Sequence, residues 1–415
     1  MSSSYDFDLP RELIAQTPPA RRGDSRLLLV APGCGVRGEV VFRDLPTLLR
    51  AGDRLVLNDS RVLPARLLTR REDTGGRVEI LLLRPADGND PPGAWLAMAR
   101  PARRLRAGLR LVVAAPPGPV PAAPAVLTVT GRGTDADDGQ VIVAGPGSLA
   151  ELAETRGVMP LPPYIERRET TAEQDRCDRD RYQTVYAAAD ESGAGSVAAP
   201  TAGLHFSQAT LDRLLALGVG ISRVCLHVGP GTFQPPAAEQ IAARRLHREF
   251  FRLPAGVSAD LAATRAAGGR VIAVGTTALR VIESAARLGL AEAGPEHRIF
   301  AAGPDDPDPF FTGEARRRDG AWEVVGATRL FVRPPDRITA ADGLLTNFHL
   351  PDSSLLMLVA ALLGPDQWRG VYAHAVRERL RFYSYGDCML ILPGLGGPGP
   401  ECKGSDPANQ GSDPS

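Results

Sequence analysis

The apolar pattern changes period along this chain, and that change limits the fold more than any single motif. Between residues 62 and about 150, segments such as RVEILLL, LRAGLRLVV and AVLTVT alternate apolar and polar side chains, separated by Gly, Pro and Asp clusters, with few helix signals before Ser148. Alternation with period two puts every second side chain on one face of a strand, as a small sheet or barrel requires. From about residue 195, short apolar strands alternate instead with stretches of helical period, the mark of a sheet flanked by helices. The expected architecture is α/β: a larger α/β domain formed by residues 1–61 and 151–392, an inserted smaller β-barrel domain at 62–150, and a disordered tail at 393–415 rich in Gly, Pro and Ser.

Local signals fill in this outline. Leu27–Val30, Leu55–Leu57, residues 219–228 and VIAV (271–274) read as strands. Asp44 is placed to cap a short helix ending near Gly52, and Ser258 to cap a helix ended by Gly268 and Gly269. Ser207 is placed to cap a helix with Leu211, Leu214 and Leu215 on one face, and another helix starts near Ser353. Residues 301–320, rich in Asp, Pro and Arg, read as a loop. The apolar run Leu355–Leu363 is too short to span a bilayer and reads as a buried helix.

Charge and composition exclude some functions. With 48 basic and 48 acidic residues the net charge is zero, which argues against blanket coating of nucleic acid or membrane and leaves room for a local basic patch. Lys403 is the only lysine and lies in the tail, so a lysine Schiff-base mechanism is not expected. Five scattered cysteines without CxxC spacing, and an N-terminus with no secretion signal, fit a cytoplasmic protein without a disulfide framework. No HExxH, GxSxG or GxxxxGK[ST] pattern occurs, and no metal site is expected.

The residues that can carry chemistry lie in loops beside Gly, Pro and Thr. His205 sits in VAAPTAGLHFS and His349 in TNFHLP; either is a proton-transfer candidate or a histidine satisfied by a packed loop. In VGTTALRV a strand runs into Gly275, Thr276 and Thr277 as a helix begins, so helix amides and two hydroxyls either hold an anion or merely cap the helix. Gly229 and Gly231 in VGPGTF allow close approach of backbone to a ligand, or form a simple turn. Asp59 and Arg61 follow a strand end. Basic residues cluster at Arg244 and Arg245 and at Arg379 and Arg381; the second cluster, close to Tyr385, could grip phosphate and stack an unpaired base, though a solvated charged face is the simpler reading.

Ten segments in order, including YDFDLPRELIAQTP, LNDSRVLPARL, MPLPPYI, VAAPTAGLHF, LHVGPGTFQP, RVIAVGTTALRVIESAA and GLLTNFHLPDSSLLMLVAALLG, resemble the S-adenosylmethionine:tRNA ribosyltransferase-isomerase family of queuosine biosynthesis, from Tyr5 to about Leu392. The resemblance implies an α/β domain carrying a β-barrel. It also implies transfer and isomerisation of the ribosyl moiety of S-adenosylmethionine onto 7-aminomethyl-7-deazaguanine at the tRNA wobble position, giving epoxyqueuosine, adenine and methionine. S-adenosylmethionine is then a co-substrate, with no permanently bound cofactor and no metal. The tRNA anticodon loop is the partner, with no membrane, and the protein is a monomer or weak oligomer. On this reading His205 and His349 transfer or orient protons, and Asp59 holds the amine or a ribose hydroxyl. Asn347 and Arg61 bind base or sugar edges, and Thr276 and Thr277 receive the methionine carboxylate.

Two stretches depart from the family pattern. Where it usually has IxxHxMHxE, this chain reads IAARRLHREF, with Arg244 in place of a histidine; where a YPGxxF-like segment is usual, it reads VRPPDRITAADGLL, with Arg333 and Pro335 near those places. These changes keep two alternatives open: a paralogue using the same donor on another acceptor, and a non-catalytic tRNA-binding protein.

Overall fold

The computed structural model describes residues 5–86, 90–114, 124–133, 139–167, 171–188, 195–229, 231, 235–290, 296–302, 306 and 309–396. Among them, eleven strands form one mixed sheet. At its centre Gly220–Leu226, Arg54–Asn58, Val271–Val274 and Gly343–Asn347 lie side by side and parallel. Beyond Gly220–Leu226 runs an antiparallel wing of Arg245–Leu253, Ala321–Leu330, Phe311–Arg318 and His297–Phe300. On the other side Cys388–Ile391 inserts between Gly343–Asn347 and Arg26–Ala31, and Gly35–Val41 closes that edge.

The central strands are largely apolar because both faces are covered. Val271–Val274 and Gly343–Asn347 are buried at every position, as strands with helices on both sides require. One face packs on the helix Gly275–Arg287, whose first ten residues are all buried. Asn58 fixes the register of two central strands: its amide donates to the Leu226 carbonyl and accepts from the Leu226 N–H, each at 3.0 Å.

Six strands from Arg66–Arg71 to Gln140–Ala144 close into an antiparallel barrel. Leu67, Ile80, Leu82, Leu111, Leu127 and Val143 fill its interior, all at most 1% exposed, and the alternating burial of Arg77–Pro85 matches its sequence alternation. The α/β body with a smaller barrel is the fold class expected from the change of period.

Several local expectations are corrected. Phe311–Arg318 is a strand, not part of a loop. It pairs with Ala321–Leu330 through the two-residue turn Asp319–Gly320, both at positive φ (51° and 80°), the geometry that suits the twist of a hairpin. Ser258 lies inside the helix Ala255–Ala266, which begins at Pro254 so that Val257 is buried. The segment holding Asp44 is a 3-10 helix, Phe42–Thr47, kept short by the proline within it. Leu215 points outward, 54% exposed, while Leu211 and Leu214 pack inside. Residues 397–415 of the expected tail lie outside the described residues, but Leu395 is packed in the core. Among the described residues, Cys177, Cys225 and Cys388 are free thiols.

Candidate active site

The C-terminal ends of the four parallel strands lie along one edge of the sheet, where open α/β folds hold their ligands. A cleft opens there with about 650 Å³ of space, counting the part open to solvent. Val228 follows one strand end; Gly275, Thr276 and Thr277 follow the second; Thr346, Asn347 and His349 end the third. Tyr164 and Tyr383 complete the wall, their rings stacked at 4.2 Å and 20°. The Tyr164 hydroxyl shares a 2.5 Å hydrogen bond with Ser384, and burial pushes its pKa up.

Gly275 joins strand and helix without a loop, at φ 86°, a conformation that costs glycine little. The first helical turn therefore begins at the cleft, where its N–H groups have no partners within the helix. Thr276 and Thr277 are buried, and the Thr277 hydroxyl has no hydrogen-bond partner.

The two candidate histidines differ. His349 lines the cleft, its Nε2 sharing a 2.8 Å hydrogen bond with the Thr346 hydroxyl, and burial lowers its pKa to about 3. His205 stands behind the cleft wall, stacked on Phe42 with ring centroids 5.2 Å apart. Its Nδ1 meets the Ser25 hydroxyl at 2.9 Å, and Asn347 Nδ2 meets its Nε2 at 3.1 Å. Burial first, then the charges of Arg381 and Arg22, lower its pKa to about 3. The imidazole is therefore neutral at physiological pH and accepts from Asn347 through Nε2. Asn347 spends its N–H donors on His205 and on the Tyr383 carbonyl (3.1 Å), while its Oδ1, buried, has no partner. An unsatisfied buried carbonyl at a cleft wall is costly unless a ligand donor meets it.

Other expected site residues lie elsewhere. Asp59 follows the strand Arg54–Asn58, its backbone bonded to Val224 and Ala188, and is not among the cleft-lining residues. Arg61 is exposed and pairs with Glu154 at 2.7 Å. Gly229 donates its N–H to Glu249. Gly231 lies against the His247 ring, which occupies the space a side chain would need, so it admits protein rather than ligand. Arg245 faces Asp306 at 3.7 Å. Arg379 is exposed near Glu12 (3.9 Å), and Arg381 donates to the Thr17 carbonyl at 3.4 Å. Tyr385 is 2% exposed and packs edge-on against Tyr182.

A second compartment of about 440 Å³ adjoins the first and shares Thr276, Thr277 and Leu355 with it. His247, Glu249 and Arg280 line it. Arg280, 6% exposed, forms an ion pair with Glu249, whose other oxygen accepts from Gly229 N–H at 3.0 Å. Sequence reasoning passed over Arg280; its spacing of three from Thr277 and four from Thr276, on one helical face, is the signal that marks it.

Comparison with known proteins decides the family. The family model described as "Queuosine biosynthesis protein" matches residues 2–391. The S-adenosylmethionine:tRNA ribosyltransferase-isomerase of Ruegeria pomeroyi is 45% identical, over 94% of this chain and 99% of its own. That of Dechloromonas aromatica is 44% identical, over 93% and 95%. The chain belongs to the S-adenosylmethionine:tRNA ribosyltransferase-isomerase family. The solved S-adenosylmethionine tRNA ribosyltransferase of Thermotoga maritima is 32% identical and covers 94% of this chain and 100% of its own, with a TM-score of 0.47.

Within this ribosyltransferase-isomerase family pattern, the two departures meet in space. Arg244 forms an ion pair with Asp336, which also accepts from the Arg333 N–H at 3.2 Å, and Arg333 donates to the Ile241 carbonyl at 3.4 Å. The helix end at Arg244 and the loop at Arg333–Asp336 are thus tied together by these contacts. Among the described residues, no helix is long and apolar enough to cross a membrane, and no three His, Cys, Asp or Glu residues form a group able to hold a metal.

Proposed function

We propose that this enzyme transfers the ribosyl part of S-adenosylmethionine to the aminomethyl group of 7-aminomethyl-7-deazaguanine at the wobble position of tRNA, rearranging it to the epoxycyclopentane of epoxyqueuosine and releasing adenine and methionine. The observation that carries this reading is one cleft whose wall combines an unpaired acceptor (Asn347), a neutral imidazole (His349) and a helix start with two hydroxyls (Thr276, Thr277).

Each feature meets a demand of the reaction. The sulfonium acidifies the adjacent C5′ protons, and His349, held as the free base by burial, is placed to accept one. With so low a proton affinity it acts as a relay: the proton it takes up goes to the departing adenine, which must gain one to leave as the neutral base, and the imidazole ends the step neutral. The attacking amine must be neutral; Asn347 Oδ1 accepts one of its N–H bonds and aims the lone pair. His205 holds the Asn347 amide in that orientation without touching substrate. Thr276 and Thr277 face the methionyl end of the donor. The target base is already unpaired in an anticodon loop, so its extrusion costs less than from a duplex. Arg379 and Arg381 lead into Tyr383 and supply positive charge on that approach, with Arg244 and Arg245 as the second basic group. Arg61, Asp59 and Tyr385 have no direct contact in this scheme.

The test is incubation with S-adenosylmethionine and tRNA bearing the aminomethyl precursor, followed by mass analysis of nucleosides. Epoxyqueuosine with stoichiometric adenine is expected. Adenine release only with another acceptor, or tRNA retention without adenine release, overturns the proposal in favour of a paralogue or a non-catalytic binder respectively.

A further inference from the structure

The second compartment contains a charged group that the scheme above does not use. Arg280 pairs with Glu249 through Nη1 alone; its Nε and Nη2 are buried and have no hydrogen-bond partner. The Thr277 hydroxyl, one turn earlier on the same helix, is also buried and unpartnered. Both residues line this compartment. Buried guanidinium donors left unmade cost free energy that an incoming acceptor recovers, and a guanidinium edge offering two N–H groups fits a carboxylate bidentately. The helix begins five residues before Arg280, and its unpaired amides favour the same negative charge.

The charge balance narrows the ligand further. Arg280 and Glu249 cancel, so a phosphate dianion would bring uncompensated charge into a buried site. An amino-acid end carries one carboxylate and one ammonium and adds no net charge. We propose that this compartment binds a zwitterionic α-amino carboxylate, with Arg280 Nε and Nη2 and the Thr277 hydroxyl on the carboxylate. Resting on the reaction proposed above, that ligand is the methionyl end of S-adenosylmethionine, and Arg280 is the residue that makes the site specific for an intact amino acid. The ribosyl and adenine parts then extend past Thr276 and Leu355, common to both compartments, toward Asn347 and His349.

The experiment is calorimetric titration of the intact protein with S-adenosylmethionine and with decarboxylated S-adenosylmethionine, which keeps the sulfonium and amine and lacks the carboxylate. Wild type is expected to prefer the intact donor by at least about tenfold, the scale of charge-assisted hydrogen bonds. Arg280→Met should bring that ratio close to one mainly by weakening the intact donor. Because this variant strands Glu249, the paired change Arg280→Met with Glu249→Gln, which removes both charges, is measured beside it and should give the same ratio. Thr277→Val should lower the ratio by a few fold. Equal affinity of wild type for the two ligands, or no binding of either, overturns the assignment. So does an equal loss for both ligands in a folded Arg280 variant, or a loss of tRNA affinity with the ratio unchanged. The ratio is read without turnover: a clear preference without epoxyqueuosine breaks the reaction proposal and leaves this site standing, and product formation without a preference does the reverse.

Discussion

The barrel and the edge of the large sheet handle polar groups in opposite ways. In the barrel the interior is apolar and charged side chains pair on the outside, as Arg66–Glu79 and Arg110–Glu72 do at 2.8 Å each; of the described barrel-strand side chains, only Arg66 Nε and Gln140 Oε1 are buried without a partner. Along the sheet edge, polar atoms of Asn347, Thr277, Arg280 and Tyr383 are buried without partners, and these residues line the two adjoining compartments. The barrel is thus nearly complete by itself. The cleft is built with unmade hydrogen bonds, and stability is lost there for the sake of binding.

Four measurements break or sharpen this contrast. The largest effect is expected from His349→Ala, which should lower turnover by roughly 10² to 10⁴, the range for losing a proton-transfer group, with the unfolding transition preserved; unchanged turnover removes the role given to His349. In the barrel, Ile80→Ala should cost about 2–5 kcal/mol of stability in urea unfolding, while donor affinity measured in the native baseline stays at the wild-type value. A matching loss of affinity would show that the two regions are not independent.

Acid should act next, through the two buried histidines at the sheet edge. His205 and His349 have folded pKa values near 3 and unfolded values near 6.5. The unfolded chain therefore binds protons first as pH falls, so their contribution is intact above about pH 6.5 and drains away from there down toward pH 3. Each histidine should cost about 1 kcal/mol between pH 7 and 5.5, and His205→Gln should remove about half of that slope in urea midpoints at the two pH values. The smallest effect belongs to Arg61→Ala. An exposed ion pair is worth about 0–1 kcal/mol, and neither stability nor donor affinity should move measurably; a clear loss of affinity would bring Arg61 back into the site.

Legibility followed the reach of the interactions. The strand VIAV, the caps Ser207 and Ser353 and the barrel's alternation are local, and each was readable. The strand Phe311–Arg318 was missed because its Asp-Pro-Arg surroundings masked a two-residue Asp-Gly hairpin signal. His205 and His349 look alike in sequence, both in small-residue loops. What separates them is Ser25, 180 residues from His205, and Asn347, 142 residues away; no local pattern carries that information. Arg280 reads as an ordinary helical arginine until Glu249, 31 residues earlier in the chain, is placed against it.

The insertion of Cys388–Ile391 between Gly343–Asn347 and Arg26–Ala31 has a consequence for biosynthesis. Until those four residues leave the ribosome, the hairpin that begins at Arg26 has no strand partner in the rest of the sheet. The nascent chain thus carries a sheet in two pieces through nearly all of the described residues' synthesis, and one late strand joins them.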